Sequence, residues 1–213
     1  MEIQQKSCPK FHNLYFVGRN YAQHIEELSN RRPEHPLIFT KPLSCACSDG
    51  TIPYPAHTRE LQFEGEMVFV LPGSLKQFNE KNEILVGCGI DFTARDVQTE
   101  IKGKGWPWFE AKCFRKSAVL SRQFAVIPKN YLQDLAVETR INGELRQQGH
   151  YSQTIFPLND LIRHLDSLVE IRANDILFTG TPAGVGSVKI GDRVDVRLLL
   201  QGKKLTQSLC EVV

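Results

Sequence analysis

Hydrophobic and polar side chains alternate along much of the chain at the two-residue spacing of a β-strand. The runs rich in β-branched and aromatic residues are predicted to be strands, at 61–71, 84–92, 135–141, 144–148, 175–179 and 193–200. Asn142-Gly143 lies between two of these runs and predicts a type I′ hairpin. Gly191-Asp192 marks another turn.

Helical patterns are fewer and shorter. One segment repeats leucine and isoleucine at steps of three and four, which predicts an amphipathic helix along Leu158, Leu161, Ile162, Leu165 and Leu168. Short helices are predicted for 21–28 and 93–100. Because strands and helices do not alternate regularly, the pattern argues against a doubly wound or barrel α/β fold and favours a mostly β fold.

Composition and charge narrow the class of protein. The chain has 213 residues, which is the size of one domain. Its formal net charge is +2, and its one basic cluster, 102–104, is too short for a nucleic-acid surface. No apolar run reaches the roughly 20 residues of a membrane span. The N-terminus is polar and lacks the apolar stretch of a signal peptide, so we predict a cytoplasmic protein without nucleic-acid or membrane partners.

The cysteines are scattered and do not suggest a disulfide framework. They are Cys8, Cys45, Cys47, Cys88, Cys113 and Cys210. Cys45 and Cys47 are two residues apart, but no second cysteine pair follows to complete a zinc site. Free thiols are therefore predicted.

Two carboxylates stand out in the strand predicted over 61–71. Glu64 and Glu66 are two residues apart, so both side chains point to one face, with Cα atoms roughly 6.6 Å apart. Val68 and Val70 continue that face and indicate that it is buried. Two buried carboxylates repel each other and lose hydration, and a bound cation resolves the conflict. Gly65 leaves the opposite face open for close approach.

These carboxylates also have ordinary interpretations. Glu64 and Glu66 could face solvent on an edge strand, with Phe63 and its apolar neighbours in the core. Asp91 ends the apolar run 84–90, where it or Thr93 could cap the helix predicted next. Three carboxylates together instead favour a hard cation, Mg²⁺ or Mn²⁺, over zinc.

An ordered set of motifs extends along nearly the whole chain. They are Val17-Gly-Arg-Asn-Tyr-Ala-Gln-His24, Phe39-Thr-Lys-Pro42, Phe63-Glu-Gly-Glu66, Gly89-Ile-Asp-Phe-Thr-Ala-Arg-Asp-Val-Gln98, Lys112 and Thr179-Gly-Thr-Pro-Ala-Gly-Val-Gly186. Together they resemble the fumarylacetoacetate hydrolase family, in particular its short members, which include acylpyruvases and oxaloacetate decarboxylases. The resemblance begins at about Leu14 and runs to the C-terminus.

The resemblance implies a fold and an assembly. The expected fold is α+β and mainly β, a mixed β-sandwich or roll with a few short helices, forming one catalytic domain over residues 1–213. The family is usually dimeric, so a homodimer is expected. The family's metal-ligand pattern falls on Glu64, Glu66 and Asp91, which would hold Mg²⁺ or Mn²⁺.

The resemblance also assigns catalytic residues. His24 and Glu27 lie three apart, on one face of a helix, and resemble the family's water-activating pair. A carboxylate beside an imidazole raises its basicity, as a general base requires. Glu26 is the competing partner for His24. Lys112 is expected to support a developing oxyanion.

The remaining site residues are expected to bind the substrate. They are Arg19, Lys41, Gln98 and Thr181. Arg95 could instead pair with Asp91 or Asp96 for a purely structural purpose. The stretch after Lys41 contains Cys45 and Cys47 where relatives carry small or hydroxyl residues, so Cys45 or Cys47 is expected near the pocket.

The implied reaction is hydrolysis of a C–C bond in an acylpyruvate, such as acetylpyruvate or fumarylpyruvate, through a metal-stabilised pyruvate enolate. The partner is therefore a small 2-oxo acid. The alternatives are an oxaloacetate decarboxylase or tautomerase, or an isomerase of the 2-hydroxyhepta-2,4-diene-1,7-dioate type, using the same site. A non-catalytic protein on the same fold would be expected to lack one of the carboxylates or the histidine, and the sequence keeps them all.

Overall fold

The structure, a computed structural model, describes residues 3–27, 31–48 and 50–213. The strands within these ranges are β1 (Gln5–Ser7), β2 (Leu14–Gly18), β3 (Leu37–Thr40), β4 (Ala46–Ser48), β5 (Gly50–Ile52), β6 (Leu61–Phe63), β7 (Gly65–Val70), β8 (Glu83–Asp91), β9 (Thr93–Ala94), β10 (Ala118–Leu120), β11 (Gln123–Pro128), β12 (Leu135–Ile141), β13 (Glu144–His150), β14 (Ile176–Phe178), β15 (Gly186–Ser187), β16 (Arg193–Leu200) and β17 (Lys203–Val212). The α-helices are α1 (Ala22–Glu27), α2 (Leu75–Glu80), α3 (Arg95–Gly103), α4 (Phe109–Lys112) and α5 (Leu158–Asp166).

Two main sheets and one small sheet organise these strands. The large sheet has the order β1-β11-β8-β7-β14-β2-β3, and β10 joins it by pairing with both β8 and β4. The second sheet has the order β13-β12-β16-β17-β5. The small sheet, β15-β6-β9, lies where β7 begins and β8 ends. Parallel and antiparallel pairs occur together, so the expected mainly β, mixed sandwich is confirmed.

The two main sheets pack face to face over the larger hydrophobic core. Met67 and Cys88 of the large sheet and Val196 and Leu198 of the second sheet belong to this core and are fully buried. The other face of the large sheet has its own cluster, in which Phe16 and Phe178 stack with ring centroids 4.3 Å apart. Because the central strands are covered on both faces, β8 is hydrophobic almost throughout rather than alternating.

The turns and the long helix agree with the sequence. Asn142 and Gly143 both have positive φ, 52° and 90°, as a type I′ hairpin between β12 and β13 requires. The apolar stripe of α5 is buried over Leu158, Leu161, Ile162 and Leu165. Leu168 was wrongly included in that stripe, since the helix ends at Asp166 and Leu168 is exposed.

Two predicted elements are wrong in the same region. The strand over 61–71 is broken at Glu64, where the chain leaves the small sheet and enters the large one. The helix predicted over 93–100 begins only at Arg95, because Thr93 and Ala94 pair with β6 as β9. The local sequence pattern does not record a change of sheet, since residues 63–66 and 91–95, where the two changes occur, are all buried.

The predicted helix over 21–28 forms at Ala22–Glu27, and its last position lies outside the described residues. None of the six cysteines, all of which the structure describes, forms a disulfide, as predicted. In the part of the chain that the structure describes, none of the helices combines the length and hydrophobicity needed to cross a bilayer.

Candidate active site

Three carboxylates meet where the chain passes between the small and large sheets. Glu64 lies between β6 and β7, Glu66 lies in β7, and Asp91 ends β8. One oxygen from each side chain lies within 4.8 Å of the other two. The residues are only 6%, 1% and 1% exposed, so the interpretation of Glu64 and Glu66 as solvent-facing edge residues is wrong.

Backbone hydrogen bonds position the three carboxylates. Asp91 N donates to Glu64 O at 2.8 Å, which ties the two strand ends together. Gly65 N donates to the side-chain oxygen of Gln147 at 3.0 Å instead of continuing a ladder. Gly180 N donates to Glu66 Oε2 at 2.7 Å. Because the chain changes sheet here, the side chains of all three carboxylates point into the same space.

Lys112 is the cation at the centre of the cluster. Its Nζ lies 2.6 Å from Glu64 Oε2, from Asp91 Oδ2 and from Thr93 Oγ1. Burial lowers the pKa of Lys112, but the charges of Asp91 and Glu64 outweigh burial and raise it overall. An ammonium group has three protons to donate, so Lys112 is saturated by these partners. Thr93 thus serves the site rather than capping α3, whose N-cap, Ala94, makes no side-chain bond.

Two further cations approach the carboxylates from opposite sides. Lys41 Nζ lies 2.6 Å from Asp91 Oδ1 and donates to the carbonyl oxygens of Phe92 and Ser117 at 3.0 and 2.9 Å. Arg95 forms an ion pair with Glu64. The structural pairing of Arg95 with Asp91 or Asp96 is therefore wrong, because α3 begins with Arg95 facing Glu64.

The pKa values of the two glutamates shift in opposite directions. Burial raises the pKa of Glu64, but Lys112 and Arg95 more than offset it and leave that pKa below its usual value. Burial raises the pKa of Glu66 well above its usual value, and the negative charges of Asp91 and Glu64 raise it further. Within the described residues no cationic side chain forms an ion pair with Glu66.

The site fits a hard divalent cation. Glu66 is ionised at neutral pH only at a high electrostatic cost unless a positive charge lies beside it. Asp91 Oδ1 is buried and accepts no hydrogen bond, in spite of its contact with Lys41. Three carboxylate oxygens suit Mg²⁺ or Mn²⁺ better than zinc. Among the described residues this is the cluster of metal-ligating side chains that meets the spacing for an ion.

Helix α1 supplies a histidine and its partner. His24 is buried, and its Nδ1 lies 3.1 Å from Glu27 Oε2. The other oxygen of Glu27 accepts from Gly184 N at 3.0 Å. Glu27 therefore partners His24, as predicted, and the described contacts of His24 include none with Glu26, the competing candidate. With Nδ1–H donating to Glu27, Nε2 is left as a proton acceptor.

A cavity of about 420 Å³ joins these groups. Its lining includes the carboxylates together with Val17, Gly18, Arg19, His24, Phe39, Arg95, Gln98, Thr99, Lys102, Gly103, Trp108, Lys112 and Thr181. One end is charged and buried, and Val17, Phe39 and Trp108 add apolar surface. Cavities of this size, with apolar walls and a few charged groups, are typical of small-molecule binding sites.

Comparison with known proteins identifies the family. The profile of the fumarylacetoacetate (FAA) hydrolase C-terminal region matches residues 13–212. The chain belongs to the fumarylacetoacetate hydrolase family. The family resemblance found in the sequence motifs is thereby confirmed.

Named members of the family resemble the chain over most of its length. The mitochondrial oxaloacetate tautomerase of Bos taurus is 37% identical over 190 residues, which cover 85% of this chain and 85% of that protein. The crystal structure of a protein from Oleispira antarctica, described as a fumarylacetoacetate isomerase/hydrolase, is 33% identical, with a TM-score of 0.88 over 96% of this chain and 95% of the other. The crystal structure of fumarylpyruvate hydrolase from Pseudomonas aeruginosa, in complex with Mn²⁺ and pyruvate, is 29% identical, with a TM-score of 0.83 over 95% and 90%.

The structure brings most of the predicted site residues to one cavity. Arg19, His24, Gln98, Lys112 and Thr181 line it with the three carboxylates, and Glu27 reaches it through His24. Lys41 does not line it and instead borders a smaller pocket on the far side of Asp91. Cys45 and Cys47 do not line the cavity either, in contrast to the expectation that one of these thiols lies near it.

Sequence reasoning missed several residues of the site. Gln147 is 1% exposed and links the carboxylate strand to the 179–186 loop, because its amide nitrogen donates to Thr181 Oγ1 and Pro182 O, each at 2.7 Å. It is a polar residue on the buried face of β13, and that position is the signal that could have found it. Lys102 and Phe39 were missed because only the fold brings their distant segments to the cavity.

Proposed function

We propose that the protein is a divalent-metal-dependent enzyme that interconverts the keto and enol forms of a small 2-oxo acid, with oxaloacetate the first substrate to test. The observation that carries the proposal is the His24–Glu27 pair, which shares a cavity with three buried carboxylates. The similarity to an oxaloacetate tautomerase supports the same reaction.

The buried end of the cavity is suited to the 2-oxo acid group. When bound by Glu64, Glu66 and Asp91, a divalent ion supplies Lewis-acid polarisation of the 2-oxo oxygen. Lys112 and Arg95 hold two of these carboxylates in place through ion pairs. Thr181 keeps the 179–186 loop against the site, since its hydroxyl donates to Gly65 O at 2.9 Å.

His24 is positioned to move the proton. Glu27 orients the imidazole through Nδ1, so Nε2 takes the proton from the carbon next to the 2-oxo group. A water molecule then protonates the 2-oxo oxygen, and the hydroxide that it leaves takes the proton from His24, so that the enol forms and the base is restored. In the reverse direction the enol hydroxyl gives its proton to water, water passes a proton to His24, and His24 delivers it to the carbon, so that the ketone forms again. The general base and its orienting carboxylate are thus the chain's own contribution to the rate.

Hydrolysis of an acylpyruvate is the second candidate. The same imidazole can take a proton from water, and the water can then attack the distal carbonyl of a 2,4-dioxo acid. The similarity to fumarylpyruvate hydrolase in complex with Mn²⁺ and pyruvate favours it. Both reactions pass through the enol form of a 2-oxo acid, so one site can serve either.

An assay of three reactions tests the proposal. Purified protein with Mg²⁺ is given oxaloacetate, followed separately for tautomerisation and decarboxylation, and acetylpyruvate or fumarylpyruvate, followed for hydrolysis. We expect tautomerisation to be fastest and to fall about 100-fold or more in His24→Asn, because positioned acid–base groups contribute roughly 10²–10⁴-fold. The exposed His35→Asn is the matched control. Acylpyruvate hydrolysis without tautomerisation would replace the proposal with the second candidate.

A further inference from the structure

Asp91 lies between two buried lysines, one at each oxygen of its carboxylate. Lys41 Nζ is 2.6 Å from Oδ1, and Lys112 Nζ is 2.6 Å from Oδ2. Both lysines are at most 3% exposed, so the position of each ammonium group depends on the protein groups around it rather than on solvent. Whatever holds the two lysines in place therefore also determines where the carboxylate of Asp91 points.

Ser117 contacts both lysines. Its carbonyl oxygen accepts a hydrogen bond from Lys41 Nζ at 2.9 Å, and its hydroxyl donates to the carbonyl oxygen of Lys112 at 2.8 Å. The residue is 0% exposed and lies directly before β10. Lys41 follows β3, whereas Lys112 is the last residue of α4. One buried serine thus links the two segments that carry the lysines.

The hydroxyl of Ser117 closes the C-terminal end of α4. The last carbonyl groups of a helix have no partner within the helix, so another group has to satisfy them. Ser117 Oγ does this for Lys112, and it also accepts a hydrogen bond from Phe114 N at 3.4 Å. Because α4 has only four residues, this bond at its end is a substantial restraint on the helix that carries Lys112.

The turn that returns the chain from Lys112 to Ser117 is strained. Lys116 has a φ of 59°, which is uncommon for a residue with a side chain. Ser117 N closes the turn by donating to Phe114 O at 3.0 Å, and Lys116 Nζ donates to Thr51 O at 2.7 Å. Such a conformation persists only where the surrounding structure stabilises it, and here it brings the Ser117 hydroxyl back to the end of α4.

We propose that Ser117 is a positioning residue, which sets the spacing of Lys41 and Lys112 and thereby directs Asp91 toward the metal. The inference rests on the proposed function for one point, that Asp91 is a metal ligand. Ser117 does not line the cavity, so it acts only through the two lysines. Lys41 then serves Asp91 rather than the substrate, in agreement with its place outside the cavity.

The test compares Mn²⁺ affinity, measured by calorimetry, in Ser117→Ala and Ser121→Ala. Ser121 is the matched control, because it is equally buried and its hydroxyl accepts from Cys88 N at 3.4 Å, with neither lysine among its described hydrogen-bond partners. Outer partners of metal ligands contribute roughly 10–100-fold to affinity, and Ser117 acts one residue farther out. We therefore expect Ser117→Ala to weaken Mn²⁺ binding by about 5-fold or more and Ser121→Ala to leave it unchanged.

A second variant separates the hydrogen bond from the space that the side chain fills. Ser117→Cys has a similar shape but a weaker donor, so its Mn²⁺ affinity should lie between those of wild type and Ser117→Ala. It also takes the place of Ser117→Ala in the comparison if that variant does not fold. Wild-type affinity in the Ser117 variants, or an equal loss in Ser121→Ala, would overturn the inference.

Failure of the proposed function is distinguishable from failure of the inference. A wild type that binds no Mn²⁺ would contradict the metal site, and the crystal structure of metal-free Ser117→Ala then decides on Ser117. We expect Lys112 Nζ to lose its contact with Asp91 Oδ2 or with Glu64 Oε2 in that variant. Both contacts unchanged would show that the Ser117 hydroxyl does not position Lys112.

Discussion

Glu66 is the residue on which the metal assignment depends most. It is buried beside two other carboxylates, and its one described hydrogen-bond donor is Gly180 N. Glu64 and Asp91 each have cationic partners, so they would persist in a protein without an ion. A sequence gives the spacing of Glu64 and Glu66 but not this difference in their surroundings.

Glu66→Gln keeps the shape of the side chain and removes its charge. We expect Mn²⁺ affinity to fall by more than about 100-fold, since even outer partners of ligands contribute 10–100-fold. The chelator-treated variant should unfold at the same or a higher temperature than wild type, because the repulsion is gone. Calorimetric Mn²⁺ titration and thermal unfolding measure these effects. Glu83→Gln, an exposed residue of β8, is the control, and equal Mn²⁺ affinity in wild type and Glu66→Gln would refute the assignment.

The raised pKa of Glu66 also predicts a dependence on pH. Above the usual carboxyl pKa of 4.5 the metal-free folded protein keeps a proton that the unfolded chain releases. Its free energy of unfolding should therefore decrease as pH rises from 4.5 through the raised pKa. Denaturant unfolding with chelator present, compared between wild type and Glu66→Gln, isolates this slope. Saturating Mg²⁺ should remove it, and parallel profiles for the two proteins would show that Glu66 is not the titrating group.

At the scale of elements, the side chain of Glu27 links helix α1 to the site. Glu27 bonds His24 with one oxygen and Gly184 N with the other, so it orients the base and joins α1 to the 179–186 loop. We expect Glu27→Gln to lower kcat by about 10-fold or more with little change in KM, because the amide still accepts from Gly184 but no longer supports an imidazolium. Steady-state kinetics on oxaloacetate measure the changes in kcat and KM separately. Glu26→Gln should behave as wild type, and an equal loss in both variants would contradict the assignment.

The two main sheets are in close contact where Gly65 of β7 faces Thr139 of β12. A Cβ at this position would lie 1.9 Å from Thr139 Oγ1, so Gly65→Ala should destabilise the fold by about 1–3 kcal/mol and displace the neighbouring carboxylates. Thr139→Ala removes that oxygen, so the double variant should recover much of the loss. Denaturant unfolding of the two single variants and the double variant gives the coupling. Simple additivity would mean that this contact does not set the position of Gly65.

The sequence predicts some of these features and not others, for physical reasons. The two-residue hydrophobic period and the Asn142-Gly143 turn predict β12, β13 and their hairpin, because these features depend only on residues that are neighbours along the chain. The break at Glu64 depends on the small sheet, which no local pattern records. The spacing of the carboxylates alone does not predict a metal site, and the family motifs around them do. The position of Lys102 at the cavity could not be predicted, because a lysine on a helix is ordinarily solvated and only the course of α3 past the cavity brings it there.

At the scale of the whole molecule, the sandwich brings distant segments to one end. The carboxylates come from the central strands of the large sheet, His24 from the helix after β2, and Lys102 from the helix after β9. The three carboxylates form the buried end of the cavity, and Arg19 and Lys102 line it as well. The cytoplasmic location and the homodimer stay predictions.

The most direct test is a Mn²⁺ titration of metal-stripped protein, with oxaloacetate tautomerisation as the readout. The stripped protein is expected to be no faster than buffer, and the rate should rise and saturate at one Mn²⁺ per chain, with Mg²⁺ acting as a substitute. The Glu66→Gln variant should stay inactive at that ratio. A stripped protein that keeps its full rate, or a rate indifferent to Mn²⁺ in protein shown to bind it, would contradict the assignment of Glu64, Glu66 and Asp91 as the centre of the enzyme.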